Sequence, residues 1–214
     1  SYLNNGNTPP NYSAFERYSV GWLTYDDATT SRNVTLAPID ESNTAVRLSS
    51  PTNPDEYFVL ENRQLQGWDS YLPARGLMIT HIDYDEEIWD RNAVNADKEH
   101  QRVKMMAADN VWNASTQSGD LYPGLLNNTE FSDTSTPNSN LWDGSKLGKN
   151  VSRIAMSGTE VSFHIDIDLT GIAHTEAVPS GSEPSQSSYN LLGQRVRDGY
   201  RGIIIANGKK NIRR

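Results

Sequence analysis

Between residues 34 and 168 the apolar residues come in short runs set apart by turn-rich polar stretches, the pattern of β-strands rather than helices. Strands are predicted at Val34–Pro38, Ala45–Leu48, Glu56–Asn62, Leu77–Ile82 and Val103–Ala108. The clearest is Val161–Asp168, where Val161, Phe163, Ile165 and Ile167 alternate strictly with polar residues, as in a half-buried antiparallel strand. Leu77-Met78-Ile79 is apolar on both faces and belongs in the middle of a sheet. One helix is predicted near the start: Ser13-Ala14-Phe15-Glu16 has the form of a capping box, Phe15, Tyr18 and Trp22 lie at spacings of three and four, and Gly21 with the β-favouring Trp22-Leu23-Thr24-Tyr25 ends it. That stripe implies a larger partner, because one short amphipathic helix is not stable alone. Residues 109–150 are rich in Asn, Ser, Thr, Gly and Pro with little periodicity, and are expected as a long functional or surface loop. The fold class expected is mainly β: an antiparallel, sandwich-like domain with a short N-terminal helix and long irregular loops.

Composition narrows the function. The chain has 214 residues, 36% of them hydrophobic, and a net charge of −8, so it can bury a core and has too little positive charge to bind nucleic acid. No apolar run approaches the ~20 residues needed to span a bilayer, and a soluble protein is expected. Ser1 is not a natural start, so the chain is expected to be a fragment. Cysteine is absent, which excludes disulfides, thiolate zinc sites and cysteine nucleophiles. The charge is unevenly placed. From Arg195 onward lie seven Lys/Arg and one acid (Asp198), against an acidic remainder. A tail of opposite sign to its body suggests an address or a docking strip, with an ordinary C-terminal hairpin as the alternative.

No catalytic constellation is complete. There is no His-Glu-x-x-His, Gly-x-Ser-x-Gly, phosphate loop or dinucleotide fingerprint. The densest polar stretch follows His81, with Asp83, Asp85, Glu86, Glu87, Asp90, Asp97, Glu99 and His100. A strand end feeding such a loop could supply calcium's six to eight oxygens, and a site drawing on His81, Asp83, Asp97 and Asp109 is expected if the cation binds. A solvated acidic loop is the bland alternative. His164 and His174 are expected on the surface. Five tryptophans allow a carbohydrate platform, although Trp68 and Trp89 sit in runs that look adjacent to a core.

Several phrases taken in order are more specific than any single motif. They are Tyr-Ser-Ala-Phe-Glu-Arg-Tyr-Ser-Val-Gly-Trp-Leu (12–23), Glu-Tyr-Phe-Val-Leu-Glu-Asn-Arg-Gln (56–64), Gly-Trp-Asp-Ser-Tyr-Leu-Pro (67–73), Gly-Leu-Met-Ile-Thr-His-Ile-Asp (76–83), Ala-Asp-Asn (108–110) and Gly-Asp-Leu-Tyr-Pro-Gly (119–124). Residues 1–168 thereby resemble the immune inhibitor A family of secreted zinc metalloproteases, in the part that follows the catalytic helix. The last 26 residues resemble the C-terminal secretion signals of exported proteins from Bacteroides-type bacteria.

The resemblance implies an intact enzyme in which a zinc-activated water attacks a peptide carbonyl. Its zinc-binding helix and methionine turn would lie upstream of Ser1, so the fragment should be catalytically silent by itself. It also implies that Ser1, Tyr2, Tyr12 and Ser13 wall the pocket beside the scissile bond. The expected organisation is a catalytic-domain remnant (1–25), a β-rich domain (26–169), a Ser/Pro-rich linker (170–188) and a signal-like β-hairpin tail (189–214). Expected partners are the rest of the catalytic domain, a peptide or protein substrate and a secretion machinery, with the protein secreted or held at the cell surface. The alternative expectation is a cell-surface β-sandwich that binds a glycan or a host protein.

Overall fold

The computed structural model describes residues 3–50 and 52–168, together with four strands between residues 188 and 213. The chain divides into two compact units, Ser1–Gly171 and Ile172–Arg214.

In the first unit the chain is mainly β, as expected. Five strands form one sheet in the order β1-β3-β4-β5-β6: β1 (Asp26–Asp27), β3 (Val46–Ser49), β4 (Glu56–Arg63), β5 (Gly76–Asp83) and β6 (Val103–Met105). All neighbours are antiparallel except β1 and β3. A second, antiparallel sheet has the order β2-β8-β7, from β2 (Arg32–Leu36), β7 (Lys149–Ser157) and β8 (Glu160–Ile167).

Period-two alternation distributes β4 between two cores. Phe58 and Leu60 face the second sheet, where with Leu48, Leu77 and Ile79 they meet Val151, Ile154, Val161, Phe163 and Ile165 in one cluster. Tyr57 and Val59 face the other way, into a smaller cluster with Ala14, Leu23, Tyr25, Ile39 and Ile82. Every residue of β4 is therefore buried. Burial of each large apolar side chain contributes about 1.5–3 kcal/mol.

The smaller core is closed by α1 (Ala14–Ser19). Its capping box forms as expected: Glu16 N–H donates to Ser13 Oγ at 3.3 Å, and Ser13 N–H donates to Glu16 Oε2 at 2.7 Å. The helix finds its partner within this chain, since Ala14 is fully buried, Phe15 packs against the smaller cluster and Tyr18 stacks on Tyr25 at 4.3 Å. Trp22 stays exposed beside Tyr12. Two further short helices, α2 (Ile39–Ser42) and α3 (Glu86–Asp90), have too few residues to show a period in the sequence.

The segment 109–150 is largely irregular but is not a surface loop. Tyr122, Phe131, Leu141 and Leu147 from it are buried in the main core. Backbone bonds Leu77–Tyr122 and Phe131–Val151 tie it to β5 and β7. The Tyr122 bond explains Gly76, whose φ is +137° and whose Cβ, if it had one, would run into the Tyr122 carbonyl oxygen.

The second unit holds β9 (Ser188–Asn190), β10 (Arg195–Val196), β11 (Gly202–Ala206) and β12 (Lys209–Arg213), antiparallel in the order β10-β9-β11-β12. The linker expected at 170–188 falls outside the described residues except for Ser188.

Candidate functional site

A cavity of about 180 Å³ opens between the segment preceding α1, the loop after β4, and residues 117–121. Its walls are largely apolar, from Leu72, Pro73, Ala74, Met78, Met105 and Leu121. Polar groups reach it from Asn11, Ser13, Glu16, Arg63 and Asp120.

Arg63, the last residue of β4, holds this wall in place. Its Nη1 donates to Glu61 Oε1 at 3.0 Å and to the Tyr12 carbonyl at 3.4 Å. Its Nη2 donates to Asp69 Oδ1 at 2.8 Å and to the Asn11 carbonyl at 3.0 Å. The backbone is grasped from the other side too. Asn11 N–H donates to Asp69 Oδ1 at 2.8 Å, and Ala14 N–H donates to Glu61 Oε2. The three charged side chains are almost wholly buried, at 5% exposure for Arg63 and 1% for each carboxylate. Burial pushes the Glu61 carboxyl up, against the pull of the Arg63 guanidinium. One cation between two buried carboxylates thus fixes residues 11–14 against the sheet.

Asp120 sits differently. It is 8% exposed, and its Oδ1 is sealed from solvent with no hydrogen-bond partner. Burial, then the nearby Asp109 charge, pushes its carboxyl above the ordinary range. An uncompensated buried carboxylate is costly, so this oxygen stands ready for a donor.

Of the residues expected to wall a substrate pocket, Ser13 lines this cavity. Tyr12 contributes its carbonyl to Arg17 and Arg63, while its ring is 57% exposed. Ser1 and Tyr2 lie outside the described residues.

The expected calcium residues are not brought together. His81 is a core histidine, its ring stacked on Phe58 at 4.2 Å and on Trp142 at 5.5 Å, with Nε2 2.9 Å from Glu56 Oε1. Asp83 is engaged by His100 Nε2 at 2.7 Å and Arg102 Nη1 at 3.1 Å. Asp97 accepts from Glu99 N–H and Asp109 from Val111 N–H, each closing a local turn. Among the described residues no three His, Asp or Glu side chains are grouped to hold a metal ion. Zinc fares the same, because His81, His100 and His164 are each paired with a different oxygen, and His174 lies outside the described residues.

Two further concavities are formed by described residues. One, lined by Phe15, Tyr18, Tyr57, Tyr84 and Trp89, has Arg47 over its tyrosine rings and held by Asp27. The other is a polar groove of about 420 Å³ with Lys104, Asn110, Asn138, Asn140 and Trp142. Trp68, expected near a core, is 58% exposed, whereas Trp89 packs on Phe15 and Tyr84.

Glu61, Arg63, Asp69 and Asp120 were not singled out from the sequence. The first two had a signal, since charged residues inside a strand that is apolar on both faces need internal partners. Asp120 had none, because its burial depends on an irregular segment folding inward. No protein family, curated protein or solved structure matches the chain.

Proposed function

We propose that this chain is the part of an exported zinc-dependent metalloendopeptidase that follows the zinc-binding helix, and that the cavity beside Ser13 receives a side chain of the peptide substrate. One observation carries this reading. The segment that the family resemblance puts next to the scissile bond forms a wall of an apolar-lined cavity and is clamped there by Arg63. A rigid wall suits a specificity pocket, which must hold its shape while the substrate is positioned. The resemblance puts the metal's ligands in the rest of the catalytic domain, and no chemical step is assigned to this chain. Its partners are then that domain and a peptide substrate, with the basic tail addressing a secretion machinery and the protein released or held at the cell surface. No helix among the described residues is long and apolar enough to cross a membrane.

The test is hydrolysis of casein. A polypeptide extended upstream through a His-Glu-x-x-His helix should cleave it and lose activity to a zinc chelator, while the 214-residue chain should be silent. Chelator-sensitive cleavage by the 214-residue chain alone sinks the proposal, as does an upstream sequence without such a helix.

A second reading, a cell-surface binding module, draws on the polar groove, where three asparagine amides, Lys104 and Trp142 could meet the hydroxyls and apolar face of a glycan. Saturable glycan binding that is insensitive to chelator and lost in Trp142→Ala supports it.

A further inference from the structure

We infer that the cavity beside Ser13 selects a lysine or arginine side chain, with the aliphatic stem lying along its apolar walls and the cationic head directed to Asp120. The inference rests on reading the cavity as a substrate pocket.

Three observations point to a cation. Asp120 is more than nine-tenths buried, with a carboxylate oxygen that has no hydrogen-bond partner. Asp109 stands close behind, since a methyl on Gly119 would lie 3.4 Å from Asp109 Oδ2, and its charge adds to that of Asp120. The cationic group on the wall, Arg63, is already matched by two carboxylates, and its donors also serve the Asn11 and Tyr12 carbonyls. Glu16, the remaining carboxylate of the lining, is committed to the Ser13 N–H and hydroxyl. Negative charge is left over at Asp120.

Size and wall chemistry point to a long side chain rather than a bare ion. The volume of about 180 Å³ is slightly larger than the ~150 Å³ of an apolar cavity that takes up benzene. That suits lysine or arginine, each of which carries a methylene stem that buries well against Leu72, Met78, Met105 and Leu121. A small divalent ion would find too few oxygen ligands in so apolar a lining, whereas calcium takes six to eight.

The experiment compares acetyl-Gly-Lys-Gly-amide with its norleucine counterpart, which has the same stem but no ammonium, in calorimetric titrations of the intact secreted protein. The lysine peptide should bind at least tenfold more tightly. Asp120→Asn should reduce that preference to within about threefold while leaving the melting temperature unchanged or higher. Met105→Trp, which fills the cavity, should abolish binding of both peptides. Equal binding of the two peptides by the unsubstituted protein overturns the inference, as does an undiminished preference in Asp120→Asn. It is also overturned by a calcium-induced stabilisation that depends on Asp120 and comes without lysine preference. An Asp120-dependent preference in a protein with no chelator-sensitive proteolysis keeps the pocket and discards the protease. Proteolysis without preference for a basic residue does the reverse.

Discussion

Arg63→Met removes the clamp while keeping most of the side chain's apolar bulk. Four acceptors lose a donor: Glu61 Oε1 and the Asn11 carbonyl, and also Asp69 Oδ1 and the Tyr12 carbonyl, which keep the Asn11 N–H and Arg17 Nε respectively. At 1% exposure neither carboxylate can turn to water for compensation. Breaking a buried ion pair by deleting one partner costs about 3–5 kcal/mol, a large part of the ~5–15 kcal/mol that stabilises a typical domain. With a urea dependence near ~2 kcal/mol per molar, the unfolding midpoint followed by tryptophan fluorescence should fall by about 2 M. Amide exchange at Asn11 and Ala14 should accelerate as well, because both N–H groups bond to the stranded carboxylates. The triple variant Glu61→Gln/Arg63→Met/Asp69→Asn should recover much of the loss, since no buried charge remains unpaired. A midpoint shift below about 0.5 M in Arg63→Met refutes the clamp. A triple variant no better than the single one would assign the loss to packing instead.

Further expectations follow from the other buried groups. Burial acts to raise the Glu56 carboxyl, but hydrogen bonds from His81 and the Trp142 N–H outweigh it and hold the group below its ordinary range. Its contribution is therefore present above the unfolded carboxylate pKa of ~4.3 and lost as pH falls through the lower folded value. Urea midpoints of Glu56→Gln and the parent should differ at pH 7 and converge towards pH 3; a constant gap contradicts this. Phe131→Ala should cost about 3–5 kcal/mol, lowering the melting temperature by roughly 10 °C, because the ring is fully buried edge-on to Phe58 at 5.2 Å. A drop under about 3 °C would mean that the irregular segment is not part of the core. Calcium should leave the melting temperature unmoved, given the protein partners of His81 and Asp83, whereas a site filled at 100 times its dissociation constant adds about 2.7 kcal/mol.

How much of the fold was legible depended on whether a segment's neighbours were close in sequence. The capping box at Ser13 and Glu16 is local, and it formed as read. Strict alternation in 161–167 placed β8, and apolar residues on both faces placed β5 inside its sheet. The hairpin partner of β8, β7, went unread because a bulge between Ser152 and Ala155, with Arg153 at φ 56°, sets its buried Val151 and Ile154 three residues apart. A period-two search discards that spacing. The segment 109–150 misled more seriously. Its Asn, Ser and Thr residues satisfy the backbone locally, as in the Ser132–Ser135 turn, which lets a polar sequence pass through the core without a ladder.

The sites follow the same division. His81 and Asp83 share a strand face, so a shared cation was a natural expectation, but the Glu56 that bonds His81 is 25 residues away on the neighbouring strand. Only the β4–β5 register brings them together, and that register is set by the burial of Phe58 and Leu60 opposite His81 and Ile79. Register likewise gives Asp120 its setting. The Leu77–Tyr122 bridge draws residues 119–122 against β5, placing a carboxylate in the wall of an apolar cavity where the local sequence has no basic partner for it. A fold selected for stability alone would favour asparagine there, because the neutral amide avoids the cost of an ionised buried carboxyl. Retaining the charge is consistent with a cation arriving from outside the chain, and the melting temperature of Asp120→Asn against its lysine affinity weighs that cost against that use.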